Sequence, residues 1–398
     1  MQSSPTGLKE LLETRKSDMS QKLVVNSYDE WTQLREVIVG RVDGFPGFQM
    51  DSSFNLFFWE NLRPFSDIKE FFTNRVGKFV WPVMRIEAKI VEELRQDIEG
   101  LVDALKGLGV SVRRPSAMVG GKKVRTPFWE MLQSPPLNIR DQTIILGKCI
   151  VETAPHVRAR LFENDYLKPL FREYMQGGAR WISMPRPTLS AGTLDASYFD
   201  VGPEDQAALQ DRYALPLPGH GFEIAFDGAQ CLRIGKDILV NTANRNHDLG
   251  FLWLKANFGS TFKFHRLNRM ADNHVDSIIL PLRKGTWLIR DKSYVKFLPK
   301  RFRNWELIVL PERKKHPFPS YRRDSISHAS RYIDLNVLSV NEDTVIVNSL
   351  NPELIEKLEG YGFDVVPVRH RHGGLFGGGF HCFTLDIRRE GRLQSYVI

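Results

Sequence analysis

Residues 143–152 read TIILGKCIVE, two short apolar runs joined by a Gly-Lys pair. β-Branched residues dominate both runs, and a polar pair containing glycine between such runs is typical of a β-hairpin. The same arrangement recurs at residues 231–240 (CLRIGKDILV), 278–289 (IILPLRKGTWLI) and 337–347 (VLSVNEDTVIV). The sequence therefore predicts four short hairpins spaced along the chain.

A helix and a further strand belong to the same repeating unit. Five times a helical segment ends near Gly, Asn or Ser and an apolar strand follows, at residues 110–114, 179–184, 260–267, 305–310 and 363–368. The preceding glycines suit the left-handed C-cap of a helix; they are Gly109, Gly178, Gly259 and Gly362. The best helix candidates are residues 86–106, 161–175, 246–257 and 351–359. The last has Asn351 as N-cap and Pro352 in the first helical position.

About five units of hairpin, helix and returning strand predict an α/β fold of five pseudo-symmetric modules closed into a ring. A closed ring leaves no free sheet edge, and its axis is a natural place for a functional site. A doubly wound sheet fits less well, because the hairpins interrupt its strand–helix alternation and no Gly-rich fingerprint follows a first strand. We expect residues 25–398 to form one domain, preceded by a polar N-terminal extension at residues 1–24.

The composition bounds the function classes. The chain has 398 residues, a formal net charge of +8 and two basic clusters, at residues 296–303 and 313–323. We interpret these clusters as solvated loops because neither forms a nucleic-acid-binding module, with an anionic partner as the alternative. Three cysteines make no disulfide framework, and no run suits a transmembrane helix or targeting segment. We therefore expect a cytoplasmic protein that binds neither nucleic acid nor membrane.

One of the three cysteines is a candidate nucleophile. Cys382 follows the run GGLFGGG at residues 373–379, where backbone can approach a ligand closely. The neighbouring cations favour a reactive thiolate; they are His381, Arg388 and Arg389. A buried cysteine beside a flexible loop is the alternative interpretation. Cys149 and Cys231 lie within hairpin strands and are interpreted as core residues.

Possible partners for this thiol stand at strand entries. His274 and Asp276 precede the strand at residue 278, where they would share one face and supply a proton shuttle and a cation-binding carboxylate. Asp141 and Asp227 precede the hairpins at residues 143 and 231. In a ring of modules equivalent strand ends converge, and carboxylates around a thiol suit a planar guanidinium group. A solvated strand entry and a metal site are the alternatives, although no paired metal-ligand spacing is present.

Five segments together resemble the arginine:X amidinotransferases. This family includes glycine amidinotransferase, inosamine-phosphate amidinotransferase and the amidinotransferases of cyanobacterial toxin pathways. The segments are residues 25–44, 138–147, 226–237, 274–282 and 377–396. The last is the most specific, since FHC, DIRR, a glycine and LQSY follow at the family's spacing. The resemblance covers about residues 25–398 and implies the five-module α/β-propeller, or pentein, fold.

The resemblance also implies roles and a mechanism. Cys382 matches the family nucleophile, His274 its general acid/base and Asp227 the carboxylate that orients this histidine. Asp141 and Asp276 match the carboxylates that grip the donor guanidinium. The implied reaction is ping-pong: Cys382 attacks the guanidino carbon of L-arginine, ornithine leaves, and an amine acceptor takes the amidino group from the sulfur. It needs no cofactor.

Substrate specificity is implied by two further positions. Asn273 stands where the mitochondrial glycine enzyme has methionine. Ser330 matches a family serine in a substrate-binding stretch, but its neighbour is Ala329. We therefore expect these residues to bind substrate and the acceptor to be an amine other than glycine. The family is commonly dimeric, so a homodimer is expected as well.

Two other functions are kept open by the same residues. A hydrolase of the same superfamily, resembling arginine deiminases or dihydrolases, would use water as acceptor. A non-catalytic scaffold would use the basic loops to bind a partner, but a scaffold has no use for a thiol with a histidine and three carboxylates.

Overall fold

A computed structural model of the chain describes residues 24–49, 51–57, 85–195, 221–312 and 332–396. Short strands dominate these residues. In chain order they are β1 Leu34–Val39, β2 Ser111–Arg113, β3 Lys123–Arg125, β4 Glu130–Leu132, β5 Thr143–Leu146, β6 Cys149–Glu152, β7 Arg180–Ser183, β8 Cys231–Ile234, β9 Asp237–Thr242, β10 Lys263–Asn268, β11 Ile279–Arg283, β12 Thr286–Ile289, β13 Glu306–Val309, β14 Leu338–Ser339, β15 Thr344–Asn348, β16 Asp364–Val368 and β17 Thr384–Arg389.

The α-helices of the same residues are α1 Ser52–Phe57, α2 Ala88–Gly107, α3 Ile139–Gln142, α4 Lys168–Gln176, α5 Arg245–Phe258, α6 Pro352–Gly360 and α7 Gly373–Phe376. Three of the four helix predictions are confirmed within two residues at each end, by α2, α5 and α6. The prediction of one helix over residues 161–175 is partly wrong. A 3₁₀ turn, Glu163–Tyr166, precedes α4, because Pro169 lacks the N–H that would continue an α-helix through this point.

Caps explain where these helices begin and end. The side chain of Asn351 accepts a hydrogen bond from the Leu354 N–H at 3.1 Å, so the N-cap prediction for α6 is confirmed. Gly109, Gly178 and Gly362 have positive φ, as predicted for residues that follow helices. Gly259 is different: its φ is −64°, and its N–H still bonds to the Lys255 carbonyl at 2.9 Å. The prediction of left-handed backbone is wrong there.

Fifteen of these strands form five three-stranded sheets with one plan, in which two antiparallel strands are joined by a third, parallel strand; β3 and β4 pair separately as an antiparallel ribbon. We call these modules I to V. Module II is β5–β6–β7, module III is β8–β9–β10, module IV is β11–β12–β13 and module V is β14–β15–β16. The four predicted hairpins and the five returning strands are confirmed. In module IV, 3₁₀ turns Lys292–Phe297 and Lys300–Phe302 replace the helix.

Module I is assembled from both ends of the described chain. Its central strand β1 pairs with β2 in parallel and with the C-terminal strand β17 in antiparallel orientation. A local hairpin is therefore replaced by a pairing between distant residues, such as Val39 with Thr384. Helix α2 covers this module by burying Leu94, Ile98, Leu101 and Leu105.

Successive modules contact each other around the ring. Strand β17 lies against β5, the turn Gly228–Gln230 that precedes β8 lies against β5, and β11 contacts both β8 and β14. Between modules V and I, the Leu34 N–H donates to the Val340 carbonyl at 2.7 Å. The predicted closed ring of five modules is confirmed. No helix among the described residues is long and apolar enough to cross a bilayer.

A buried ion network lies where modules I, II and III meet. The Arg233 guanidinium donates to Glu30 Oε1 at 2.8 Å and to Asp386 Oδ2 at 2.9 Å. Arg140 and Arg389 each donate to Asp386 at 2.7 Å. All five residues are buried, and charges of both signs alternate. We call them the axial network; they carry the loop that holds Cys382, since the Arg140 Nε donates to the His381 carbonyl at 2.7 Å.

Candidate active site

In every module a short turn precedes one of the two antiparallel strands, and a polar residue or cysteine lies in that turn or directly beside it. In modules II, III and IV these residues are Asp141, Asp227 and Asp276. Asn336 follows the turn of module V, and Cys382 lies in the turn before β17. The prediction that His274 and Asp276 lie on one strand face is wrong, because residues 275–277 form a 3₁₀ turn and β11 begins at Ile279.

Asn336 holds the Cys382 loop in place and was missed by the sequence reasoning. Its Oδ1 accepts the backbone N–H groups of Cys382 at 2.9 Å and Gly379 at 3.1 Å. Its Nδ2 donates to Asp276 Oδ2 at 3.1 Å. Asn336 stands at the module V position equivalent to the three aspartates, so the repeat contained the signal that could have found it.

The glycines before Cys382 serve the protein's own packing. A Cβ on Gly379 would lie 2.7 Å from the Asn336 Cβ, and one on Gly378 would lie 2.2 Å from Asn138 Oδ1. The backbone therefore approaches asparagine side chains closely here, and its approach to a ligand stays a prediction.

Asp276 lies beside the thiol. The Cys382 Sγ donates to Asp276 Oδ2 at 3.5 Å, and His381 Nδ1 contacts the same oxygen at 2.7 Å. Burial opposes ionisation of Asp276, but the hydrogen bond and charge of His381 hold its pKa below the usual range. The other oxygen, Oδ1, has no hydrogen-bond partner among the described residues.

Asp141 presents a free oxygen in the same way. Its Oδ2 accepts from the Arg160 guanidinium at 2.7 Å, while its Oδ1 has no hydrogen-bond partner within the described part of the chain. Arg160 is fixed in turn by a two-point ion pair with Glu163, with both N···O distances 2.9 Å. Burial raises the pKa of Asp141, and it raises the pKa of Glu163 to about 8.

His274 lies between two of the aspartates. Its Nε2 is 2.9 Å from Asp227 Oδ2, and its Nδ1 is 3.7 Å from Asp141 Oδ1. Burial disfavours the charged imidazole, but Asp141 and Asp227 outweigh it and raise the pKa of His274 to about 9. Asp227 is held well below its usual pKa, because His156 and His274 overcome the effect of burial. The site therefore holds an imidazolium at neutral pH.

Asp227 is held in place by a buried glutamine. Gln230 is fully buried, its Oε1 accepts the Asp227 N–H at 2.9 Å, and its Nε2 donates to the Asn241 carbonyl at 2.9 Å. Asp227 and Gln230 thus form a capping box around the turn that carries Asp227.

Of the two remaining predicted substrate-binding residues, Asn273 and Ser330, the structure describes Asn273. Asn273 uses both ends of its amide within the protein: Oδ1 accepts the His274 N–H at 2.5 Å, and Nδ2 donates to the Phe57 carbonyl. The Phe57 ring packs edge-on against the His274 ring, with centroids 4.9 Å apart. Ser330, with residues 313–331, lies outside the described residues. Substrate binding by Asn273 and Ser330 stays a prediction.

The expectation of a cation-stabilised thiolate is wrong for the substrate-free site. His381 faces Asp276 and Glu30, Arg389 faces Asp386, and Arg388 lies 4.0 Å from Glu36. Burial and the carboxylates of Asp276 and Asp141 raise the pKa of Cys382 well above its usual range. These surroundings therefore favour the neutral thiol.

The other cysteines fit the core interpretation. Cys149 and Cys231 are buried in the apolar cluster between modules II and III. Burial raises the pKa of Cys149 to about 11 and that of Cys231 further still. Neither thiol is poised to react.

Three donor types meet at the site. One ligand atom each from Asp141, His274 and Cys382 lies within 4.8 Å of the others, all of them buried. Such a set can hold a soft divalent cation as well as an organic one. Beside it, Phe45, Phe48, Phe54 and Phe376 line a small cavity that also contacts Arg160.

Similarity to known proteins decides the family. No protein-family model matches the chain. The L-arginine:L-lysine amidinotransferase of Pseudomonas savastanoi pv. phaseolicola is 33% identical over 381 residues, which cover 94% of this chain and 97% of that protein. The chain belongs to the amidinotransferases. Another member, the mitochondrial glycine amidinotransferase of Xenopus laevis, is 30% identical over 391 residues, covering 95% of this amidinotransferase and 86% of that enzyme.

A solved amidinotransferase has the same fold. The inosamine-phosphate amidinotransferase of Streptomyces griseus superposes with a TM-score of 0.76 at 30% identity, covering 94% of this chain and 99% of that one. The suspected family is thereby confirmed, and with it the pentein fold that the five modules show.

Proposed function

We propose that this amidinotransferase moves the amidino group of L-arginine, through an S-amidino intermediate on Cys382, to a primary amine and releases ornithine. One observation carries the proposal: Asp141 and Asp276 each present a carboxylate oxygen that no described residue reaches with a hydrogen bond, around a buried thiol and next to an imidazolium. Buried unsatisfied carboxylate oxygens are costly unless a ligand supplies donors. A guanidinium group supplies planar N–H donors and a positive charge.

Binding of arginine would also favour ionisation of the Cys382 thiol. The carboxylates that raise the pKa of Cys382 are the groups that a guanidinium would neutralise. His274 is already protonated and cannot take the thiol proton, so this proton leaves to solvent as arginine binds. The thiolate is thus formed when its electrophile is in place.

In the first half-reaction the Cys382 sulfur forms a bond to the guanidino carbon. His274 gives its proton to the δ-nitrogen as the carbon–nitrogen bond breaks, and ornithine leaves with this nitrogen as an amine. Asp227, on the Nε2 side, orients the ring so that Nδ1 is the nitrogen that faces the substrate. The sulfur then carries a cationic amidino group that Asp141 and Asp276 continue to neutralise.

In the second half-reaction the acceptor enters as an amine in place of ornithine. The now neutral His274 takes a proton from the attacking nitrogen, which forms a bond to the amidino carbon. The carbon–sulfur bond breaks, the sulfur leaves as thiolate, and the cationic product departs. The two half-reactions return His274 to the imidazolium without a cofactor, and Cys382 regains from solvent the proton that it lost on arginine binding once the cationic product has departed.

We further propose that the acceptor is not glycine and that the protein acts as a homodimer with no metal ion. The acceptor proposal is supported by Asn273 and Ala329, which depart from the glycine enzyme. The aromatic rings of the cavity beside Arg160 suit the apolar atoms of such an amine. The names of two relatives contain L-lysine and inosamine phosphate, so both compounds should be tested as acceptors.

Transfer and hydrolysis are separated by one experiment. The protein is incubated with L-arginine alone and with arginine plus a panel of amines: glycine, lysine, an inosamine phosphate and aromatic amines. Ornithine should form in proportion to an amine product heavier by one amidino group, seen by mass spectrometry. Citrulline from arginine alone would instead support the deiminase alternative. After brief exposure to arginine, the peptide that contains Cys382 should carry the amidino mass, and a Cys382→Ala control should not.

A further inference from the structure

Two buried histidines outside the proposed reaction lie behind Asp227. His156 and His247 are both buried, and their Nε2 atoms are 2.7 Å apart, with ring planes at 77°. His156 Nδ1 faces Asp227 Oδ1 at 3.3 Å. Asp227 therefore has an imidazole on each oxygen: His274 on Oδ2 and His156 on Oδ1.

The positions of the protons on His156 and His247 follow from the hydrogen bond that His247 makes on the side away from Asp227. The backbone N–H of Ala243 points at His247 Nδ1 at 3.1 Å, and a backbone amide can only donate. His247 must therefore accept at Nδ1. Burial lowers its pKa far below the usual range, so the ring is neutral and its proton is on Nε2.

The same logic passes to the next ring. His247 Nε2–H faces two nitrogens: His156 Nε2 at 2.7 Å and Asn244 Nδ2 at 3.1 Å. The orientation of the Asn244 side-chain amide is known because its Oδ1 accepts a hydrogen bond from the backbone N–H of His247 at 3.0 Å. The Asn244 Nδ2 is therefore a donor and cannot accept a hydrogen bond from His247 Nε2. His156 Nε2 is then the acceptor, and a neutral His156 carries its proton on Nδ1, toward Asp227.

The last contact holds Asp227 from behind. The two atoms are 3.3 Å apart and neither has a hydrogen-bond partner among the described residues, so the contact is an attraction between the carboxylate and the N–H dipole. Because Oδ1 faces His156, Oδ2 remains directed at His274 Nε2. Both aspartate oxygens are thus assigned, and His274 Nδ1 is left for the substrate.

We propose that His156, oriented by His247, is a positioning residue that fixes Asp227 and, through it, the ring and proton affinity of His274. This inference rests on the proposed function of His274 as general acid and base. It predicts a specific division of labour: His156 affects proton transfer, whereas Asp141 and Asp276 bind the guanidinium. Loss of His156 should therefore lower kcat and leave the KM for arginine nearly unchanged.

The variants are chosen by which nitrogen they replace. His156→Leu removes both contacts. His156→Asn retains a donor near the position of Nδ1 while losing the contact with His247. His265→Leu is the matched control, because His265 also pairs with a buried aspartate, Asp237 at 2.7 Å, but belongs to the outer strand of module III rather than to the site.

The expected kinetic result is a fall in kcat of about 10-fold for His156→Leu, less than the roughly 100-fold that a 1 Å displacement of a catalytic group can cost. His156→Asn should recover part of this loss. His265→Leu should change kcat only as far as it changes the amount of folded protein, which is measured by circular dichroism and thermal unfolding.

A purely structural role is excluded by a second readout. In the substrate-free protein, NMR titration of labelled histidine gives the pKa of His274, whose neighbours are Asp141, Asp227 and Asp276. A loosened Asp227 should lower this pKa in His156→Leu and less so in His156→Asn. An unchanged His274 pKa, or a kcat loss that only follows the folded fraction, would overturn the proposal. If the wild type transfers no amidino group, the proposed function fails, while the titration still decides this inference.

Discussion

The axial network and the reactive site, by which we mean Asp141, Asp227, His274, Asp276 and Cys382, are neighbouring clusters of buried polar groups. They differ in how completely their carboxylate oxygens are hydrogen-bonded. In the axial network Arg140, Arg233 and Arg389 meet Glu30 and Asp386, and every carboxylate oxygen accepts at least one hydrogen bond. In the reactive site Asp141 and Asp276 each retain an oxygen without a partner among the described residues. The two clusters are joined through Arg140, whose Nε bonds to the His381 carbonyl beside Cys382.

The difference indicates which cluster supports the fold and which binds a ligand. A buried charge network is tolerated when each charge is paired, and breaking one partner is costly. A cluster of carboxylates in which some oxygens accept no hydrogen bond gains from the entry of a cation with N–H donors. The two clusters thus differ in how completely donors reach their carboxylates, and the following changes test that difference.

The largest effect is expected on activity in the reactive site. Cys382→Ala should lower amidino transfer by roughly 10⁴-fold or more, because the covalent route is lost. The free energy of unfolding should be unchanged or slightly higher, since active-site groups often destabilise the fold. Transfer is measured as ornithine release, and stability by urea unfolding. Retention of activity would mean that the sulfur carries no amidino group.

A large loss of stability is expected in the axial network. Arg233→Met leaves Glu30 and Asp386 short of a partner, and it should lower the free energy of unfolding by about 3–5 kcal/mol. Arg35→Met is the control: Arg35 and Glu390 form an ion pair at 2.6 Å, both about half exposed, and its loss should cost less than about 1 kcal/mol. Equal effects in urea unfolding would refute the distinction between the two clusters.

Asp141→Asn should separate binding from thiol chemistry. Loss of a charged hydrogen bond should weaken arginine binding by about 1.5–3 kcal/mol, or roughly 10- to 100-fold in KM. In the free protein the same change removes a carboxylate that raises the pKa of Cys382, so alkylation by iodoacetamide at neutral pH should become faster. The exposed Asp165→Asn serves as control. Slower alkylation would contradict the electrostatic account of the thiol.

The smallest expected effect is on the pH dependence of each half-reaction. His274, with a pKa of about 9, must be protonated to release ornithine, so amidination of Cys382 should fall as pH rises through about 9. Transfer from the amidino form needs neutral His274 and should show the opposite limb. Asp227→Asn should move the first limb to lower pH, because the carboxylate raises this pKa. Rapid-quench measurements of each half-reaction test both signs, and parallel limbs would be inconsistent with one shared acid and base.

Local sequence signals predicted most of the fold. Alternating turn chemistry and β-branched runs marked the hairpins, and the caps of α6 followed from Asn351 and Pro352. The failures occurred where a local rule competed with another residue nearby. Pro169 divided the helix expected over residues 161–175, and the continued last turn of α5 left Gly259 right-handed.

The residues of the candidate site could be predicted from the sequence, but the charge state of the Cys382 thiol could not. Resemblance and repeated strand entries placed Asp141, Asp227, Asp276, His274 and Cys382 in one region, and the structure brings their atoms together. The sequence neighbours of Cys382 suggested a thiolate, yet His381 and Arg389 are committed to other carboxylates. Charge that is adjacent in sequence was cancelled by contacts with distant residues.

Local patterning and motifs within single segments were enough to predict the repeating unit, the family and the candidate catalytic side chains. The tertiary structure was needed to show that β17 completes module I, that Asn336 holds the Cys382 loop, and that His156 and His247 stand behind Asp227. Each of these contacts joins residues far apart in the chain, and their energies come from burial, which a linear pattern does not specify.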